Sequence, residues 1–273
     1  MGKAWIIASG KGGVGKSTLS ASLGLEIARS GKRVCIIDAD IGLRDQDVLL
    51  GVQNSIVFDV LDVANRLCTP EQALITPYPE NVPTLFLLPA SQFARAKELD
   101  TKAFKKMLHQ LKSRFDHVLI DAPAGIERSL RGLLSDEINE CILVCTPDDV
   151  CIRNAERTAG VLRKKGLTSQ QVIVNRLNPD YIRQGIMYSA ETIAATLDLP
   201  LLGEIPDDPA IYRALLEHSS LMSGDSEGIC ALSRTAQRMT GGESVPFPNY
   251  GKKKTLLERL FPRRQKGGNK FAR

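Results

Sequence analysis

The chain has 273 residues, 43% of them hydrophobic and 25% charged, a balance that excludes wholesale disorder, a collagen-like repeat and a disulfide miniprotein and leaves room for one large α/β domain or two small ones. Its net charge of +5 is uneven: residues 251–273 hold nine Lys or Arg and one Glu, a local +8, so the first 250 residues carry −3. An acidic body with a basic tail directs the tail at an anionic surface or polymer and argues against a nucleic-acid groove in the body.

In chain order, β-branched apolar runs predict strands at 4–9 (AWIIAS), 34–40 (VCIIDAD), 84–90 (TLFLLPA), 117–121 (HVLID), 140–146 (ECILVCT), 171–175 (QVIVN) and 201–206 (LLGEIP). Amphipathic stretches at 17–30, 101–114, 150–165 and 189–197 predict crossover helices between them. Nearly unbroken apolar strands alternating with helices predict an α/β fold: a doubly wound, mostly parallel sheet with helices on both faces, over about residues 1–240. The Gly- and Pro-rich 241–254 (GGESVPFPNYGKKK) reads as a linker, and 255–273 as a basic tail. No apolar run approaches the ~18–20 residues that span a bilayer, the opening MGKAWIIASG lacks a long apolar signal stretch, and Ile6 breaks the myristoylation pattern, so a soluble intracellular protein is expected. The six cysteines form no C-x-x-C pair and three lie in apolar runs, as buried reduced thiols would. His109, His117 and His218 are scattered and are given surface or core roles.

The segment SGKGGVGKST follows the first strand and opens the first helix. Gly10-x4-Gly15-Lys16-Ser17 satisfies the P-loop pattern: the backbone of Gly10, Lys11, Gly12, Gly13, Val14 and Gly15 curls so that its N–H groups, with those of Lys16, Ser17 and Thr18, face a phosphate. Lys16 is placed to neutralise β/γ oxygens, and the Ser17 hydroxyl to bind Mg²⁺. Carboxylates at neighbouring strand ends would hold the metal and orient a water. Asp121 closes HVLID as a Walker B residue would, and Asp38 and Asp40 close VCIIDAD two residues apart, on one side of an extended strand.

The second lysine of the loop, Lys11, resembles the signature of the deviant Walker A ATPases of the ParA/MinD superfamily. DADIGLRDQD, LPASQ at 88–92, DAPAGIE at 121–127, VNRLNPD at 174–180 and IPDDPAI at 205–211 are most similar to its septum-site-determining branch. The resemblance implies an ATP-bound homodimer in which Lys11 reaches the partner's phosphates, with Lys11, Lys16 and Asp40 catalytic and Asp40 positioning the attacking water. It implies Asp38 as a switch residue near Mg²⁺, held with Ser17 and Asp121, and Asn175, Pro206 and Asp207 around the adenine base, where an amide favours ATP over GTP. Two positions depart from the pattern: Asn154 stands where an acidic partner of the loop lysine is expected, and Ala122 where Ser is common.

In the tail, Leu256, Leu257, Leu260 and Phe261 make one stripe of a short helix, flanked by Lys253, Lys254 and Arg259 and stopped by Pro262. It resembles the C-terminal membrane-targeting sequence of that branch and implies an amphipathic anchor on anionic lipid, with the protein cytoplasmic and peripheral on the inner membrane face in its ATP state. The same resemblance implies a protein activator and a division-inhibitor partner, with no specific nucleic acid. Two alternatives stay open: an ATPase that sets flagellar number or placement, and a ParA-type module that coats DNA through its basic tail. The apolar stripe argues against the second, because phosphate contact needs charge without an apolar face.

Overall fold

The computed structural model describes residues 1–76, 82–92, 99–125, 128–216, 225–241, 245–248 and 250. Seven strands, β1 (Lys3–Ala8), β2 (Val34–Asp38), β3 (Leu85–Leu88), β4 (His117–Asp121), β5 (Glu140–Cys145), β6 (Gln170–Leu177) and β7 (Leu201–Pro206), form one sheet in the order β3-β2-β4-β1-β5-β6-β7. Every pairing between them is parallel. All seven apolar runs become strands, and the four expected helices form at Lys16–Arg29, Thr101–Lys112, Asp149–Lys164 and Ala190–Leu197.

Every residue of β2 and β4 is buried, which is why these strands do not alternate apolar with polar residues: both faces of the sheet are covered. The chain steps outward from β1 to β2 and β3, then returns through β4 and continues to β5, β6 and β7. Right-handed crossovers place the strand-to-strand helices made before and after this reversal on opposite faces, a rule that does not bind the helix Glu227–Met239, which follows the last strand. The helix Lys16–Arg29 packs with Glu227–Met239 against one face, and Thr101–Lys112, Asp149–Lys164 and Ala190–Leu197 pack against strands β1 and β4 to β7. Where the winding reverses, the carboxyl ends of β1, β2 and β4 border a crevice, the place where open parallel sheets bind ligands. The register sets Ile7 and Asp38 on either side of Asp121, so the two carboxylates end adjacent strands at one level.

Among the described residues, one histidine belongs to this core. His117 opens β4, and the Trp5 indole donates Nε1–H to its Nδ1 at 3.3 Å. Burial, helped by Lys3 and Lys32 and opposed by Asp116, holds its pKa below the ordinary value. The folded protein therefore binds this proton less readily than the unfolded chain, and the associated stability is complete above about pH 6.5 and is lost as pH falls below it. Chemical unfolding of wild type and His117→Gln from pH 7.5 to 5 should show wild type losing stability relative to the variant on acidification. A difference independent of pH would rule out this coupling.

Beyond the helix Glu227–Met239 the chain turns back on its body. The Arg238 guanidinium donates to Val245 O from Nε (3.0 Å) and from a terminal nitrogen (2.8 Å), and it lies 3.8 Å from the Phe247 ring centre. The Tyr250 hydroxyl donates to Glu227 at 3.0 Å. The segment expected as a linker is thus tied to the last helix at 245–248 and 250, whereas Leu256, Leu257, Leu260 and Phe261 lie outside the described residues. No described helix is long and apolar enough to cross a membrane.

Candidate functional site

The loop between β1 and the first helix depends on two glycines for different reasons. Gly15 has φ +89, and a Cβ there would stand 2.5 Å from Asn175 Nδ2. That amide donates to Val14 O at 2.8 Å, so β6 holds the loop from across the cleft. At Gly10 the constraint is close approach, since a Cβ would lie 2.5 Å from the backbone carbonyl of Asn154, in the helix Asp149–Lys164. Helices beginning at Thr101, Asp149, Ala190 and Glu227 each open on a side-chain cap from Asp100, Asp148, Ser189 and Ser226. The helix Lys16–Arg29 has no side-chain cap and no acid in its first turn. Its first N–H groups and the positive end of its dipole are left for an anion at the loop.

At the crevice the expected residues meet. Lys16, 6% exposed, sets its Nζ 2.6 Å from Asp121 Oδ1 and 3.5 Å from Ser17 Oγ. Asp121 also accepts from Ser20 Oγ at 3.0 Å and from Gln46 Nε2 at 2.7 Å. Asp38 is fully buried and accepts the backbone N–H groups of Asp40 (3.0 Å) and Gln46 (3.1 Å). Burial and the neighbouring Asp121 charge push the Asp38 pKa up to about 7, against those two N–H groups and Lys16. Two buried carboxylates share one buried cation, a charge balance that a second cation would relieve. The strand ends at Asp38, so Asp40 is not on the same face by strand alternation. It lies in the following loop, held by its own N–H on Asp38, half-buried and with a carboxyl pKa raised by burial.

Lys11 finds a carboxylate that the sequence did not single out. Its Nζ is 3.8 Å from Asp148 Oδ1, with both side chains 48% exposed. Asp148 also caps the helix at Cys151 N (2.9 Å) and accepts from Thr146 Oγ1 (2.7 Å). Burial raises its pKa, but these hydrogen bonds and Lys11 outweigh it and hold the carboxyl below its usual range. With Asn154 at the expected acidic position, Asp148 does the pairing.

Asn175, Pro206 and Asp207 line a cleft of about 270 Å³ with Gly15, Thr18 and Tyr212. Here β6 and β7 lose register between Val174 and Leu177, Arg176 takes φ +59, and Asp207 N–H bonds Leu177 O at 2.8 Å. A larger cavity of about 740 Å³, bordered by Arg66, Lys102 and Lys106, lies between the short helices Val60–Ala64 and Pro70–Ala73 and the helix Thr101–Lys112. None of its lining residues comes from the P-loop.

A glycine loop between first strand and first helix, at the carboxyl edge of a parallel sheet and with its lysine on a neighbouring strand's carboxylate, defines a P-loop nucleotide-binding protein. Residues 5–221 match the CobQ/CobB/MinD/ParA nucleotide binding domain. The septum site-determining protein MinD of Synechocystis sp. is 37% identical over 98% of this chain and 100% of its own length. Among solved structures, the MinC:MinD cell division protein complex of Aquifex aeolicus superposes with TM-score 0.83 at 34% identity, covering 91% of this chain and 100% of the other. MinD complexed with Mg-ADP from Pyrococcus horikoshii superposes with TM-score 0.76 at 27% identity, covering 88% and 96%. The chain belongs to the MinD branch of the CobQ/CobB/MinD/ParA nucleotide-binding family.

Proposed function

We propose that this protein is a Mg²⁺-dependent ATPase that dimerises around ATP, settles as that dimer on the inner face of the cell membrane and takes part in placing the division septum. The observation that carries the reading is the meeting of Lys16, Ser17, Asp38 and Asp121 at the mouth of the loop. Ser17, Asp38 and Asp121 offer the all-oxygen donor set that suits Mg²⁺, and the excess buried negative charge there fits a cation. No group of three His, Cys, Asp or Glu poised for a metal occurs among the described residues, and Mg²⁺ on a nucleotide needs none, because one or two carboxylates and the phosphates suffice. The metal would neutralise charge on the transferring phosphoryl group.

Lys16 exchanges Asp121 for the β/γ oxygens, the uncapped helix end receives the phosphates, and Asn175, Pro206 and Asp207 frame the adenine. Asp40 orients the attacking water. Lys11, on an exposed and weak pairing with Asp148, is available to the phosphates bound by a second copy. The relative from Aquifex aeolicus that was solved as a MinC:MinD complex supports a division-inhibitor partner here, with a separate protein activator. Asp40→Ala should slow hydrolysis by ~10²-fold or more while keeping ATP, because phosphates stay held and the water does not. Light scattering after gel filtration should then find a dimer with ATP that outlasts the wild-type dimer. Wild-type turnover would move the water-orienting role to another group, Asp121 first.

A further inference from the structure

Gln46 is the first residue of the four-residue helix Gln46–Leu49 and is completely buried. Its amide nitrogen donates twice, to Asp121 Oδ2 at 2.7 Å and to Ser17 O at 2.9 Å, and its backbone N–H bonds Asp38 Oδ2 at 3.1 Å. One side chain and its backbone thus touch all three residues that would hold the metal, from β4, the loop helix and β2. Because both side-chain contacts are acceptors only, the orientation of the amide is fixed, and Oε1 is the atom left over. That Oε1 is buried and has no hydrogen-bond partner among the described residues. An orphaned acceptor costs free energy that leucine or methionine in the same space would not incur.

We propose that Gln46 is a positioning residue for Mg²⁺, an inference that rests on the Mg²⁺-ATP reading above. While Lys16 occupies Asp121 Oδ1, the carboxylate needs no other restraint. Once Lys16 turns to the phosphates, Ser20 on Oδ1 and Gln46 on Oδ2 remain to keep it aimed. Mg²⁺ retains several of its waters when bound to protein, and those waters need acceptors. Oε1 is the acceptor this site holds in reserve, and partners of this outer kind typically govern metal affinity by ~10–100-fold.

The test is the binding of a fluorescent ATP analogue, titrated with Mg²⁺ and repeated in EDTA, for wild type, Gln46→Leu and Gln46→Asn. The shorter amide of Gln46→Asn cannot span Asp121 and Ser17, and it serves where Gln46→Leu fails to fold. Expected is an affinity in EDTA within about twofold of wild type and a Mg²⁺ midpoint raised about tenfold. An unchanged midpoint in a folded variant overturns the proposal. So does an equal loss with and without Mg²⁺, or failure of both variants to fold, since each marks a purely structural residue. Wild-type binding indifferent to Mg²⁺ would instead remove the parent reading, and this inference with it.

Discussion

Lys16→Ala is expected to abolish ATP binding and turnover, with affinity for ATP·Mg lowered ~10²-fold or more and phosphate release falling to background. The residue supplies the one buried positive charge between the loop and the two carboxylates, and preorganised charge carries most of the catalysis of phosphoryl transfer. A second effect has to be separated from this one. Removing a partner from a buried ion pair costs ~3–5 kcal/mol when the other charge stays unpaired, and Asp121 sits beside Asp38. The double variant Lys16→Ala/Asp121→Asn should therefore regain thermal stability without regaining ATP binding. Lys11→Ala gives the contrast: its pairing is 3.8 Å long and half exposed, and such contacts contribute ~0–1 kcal/mol. That variant should fold and bind nucleotide as wild type does and lose stable dimerisation and activated hydrolysis. Titration calorimetry showing unchanged ATP·Mg affinity in Lys16→Ala would end the P-loop assignment, and wild-type turnover in Lys11→Ala would make the loop lysine incidental.

What the sequence made legible was whatever is written locally. The loop is a contiguous motif whose glycines and lysine stand at fixed spacing, and each strand is an apolar run bounded by turn residues, so both were found in place. Asp121 and Asp38 followed because they end such runs. Gln46 did not, since a buried glutamine has no local signature and its contact with Asp121 spans 75 residues. Ser20 looks like any helical serine until the fold sets it on Asp121 Oδ1. Asp148 was readable as a helix cap in TPDDVC, but its reach to Lys11 depends on how β5 and the helix after it lie against the loop. Arg176 and Tyr212 join the cleft lined by Asn175, Pro206 and Asp207 through the break in β6–β7 register and the helix Pro209–Leu216. Asp38 and Asp40 show the converse: period-2 logic assumed a strand through both, but the strand stops at Asp38, and what ties the two is the Asp40 backbone N–H on the Asp38 carboxylate.

The other large effect expected is on location. A helix of about ten residues is marginal in water and forms mainly where a surface buries its stripe. Leu256, Leu257, Leu260 and Phe261 each contribute up to ~1.5–3 kcal/mol when fully buried, less at an interface and less again after helix ordering. Each nearby Lys or Arg adds about 1 kcal/mol on an anionic leaflet. On these terms one tail would bind weakly and reversibly. On the proposed reading, two tails joined by one ATP dimer would act at high effective concentration, and their joint hold would exceed that of one by ~10²–10⁴ with no new contact. The Arg238 and Tyr250 contacts strengthen this account, because they fix the root of each tail to its body. From Tyr250 to Leu256 the chain extends at most ~20 Å, so little tether length dilutes the second anchor. ATP would then need no effect on the tail itself; it would set how many tails are joined. Phe261→Glu should abolish sedimentation with anionic liposomes while ATP-dependent dimerisation in solution survives, and duplex DNA should pull down neither protein. Binding of wild type to liposomes equally well with ADP and ATP across dilutions would refute the avidity switch, and wild-type binding by Phe261→Glu would mean the tail is not the anchor.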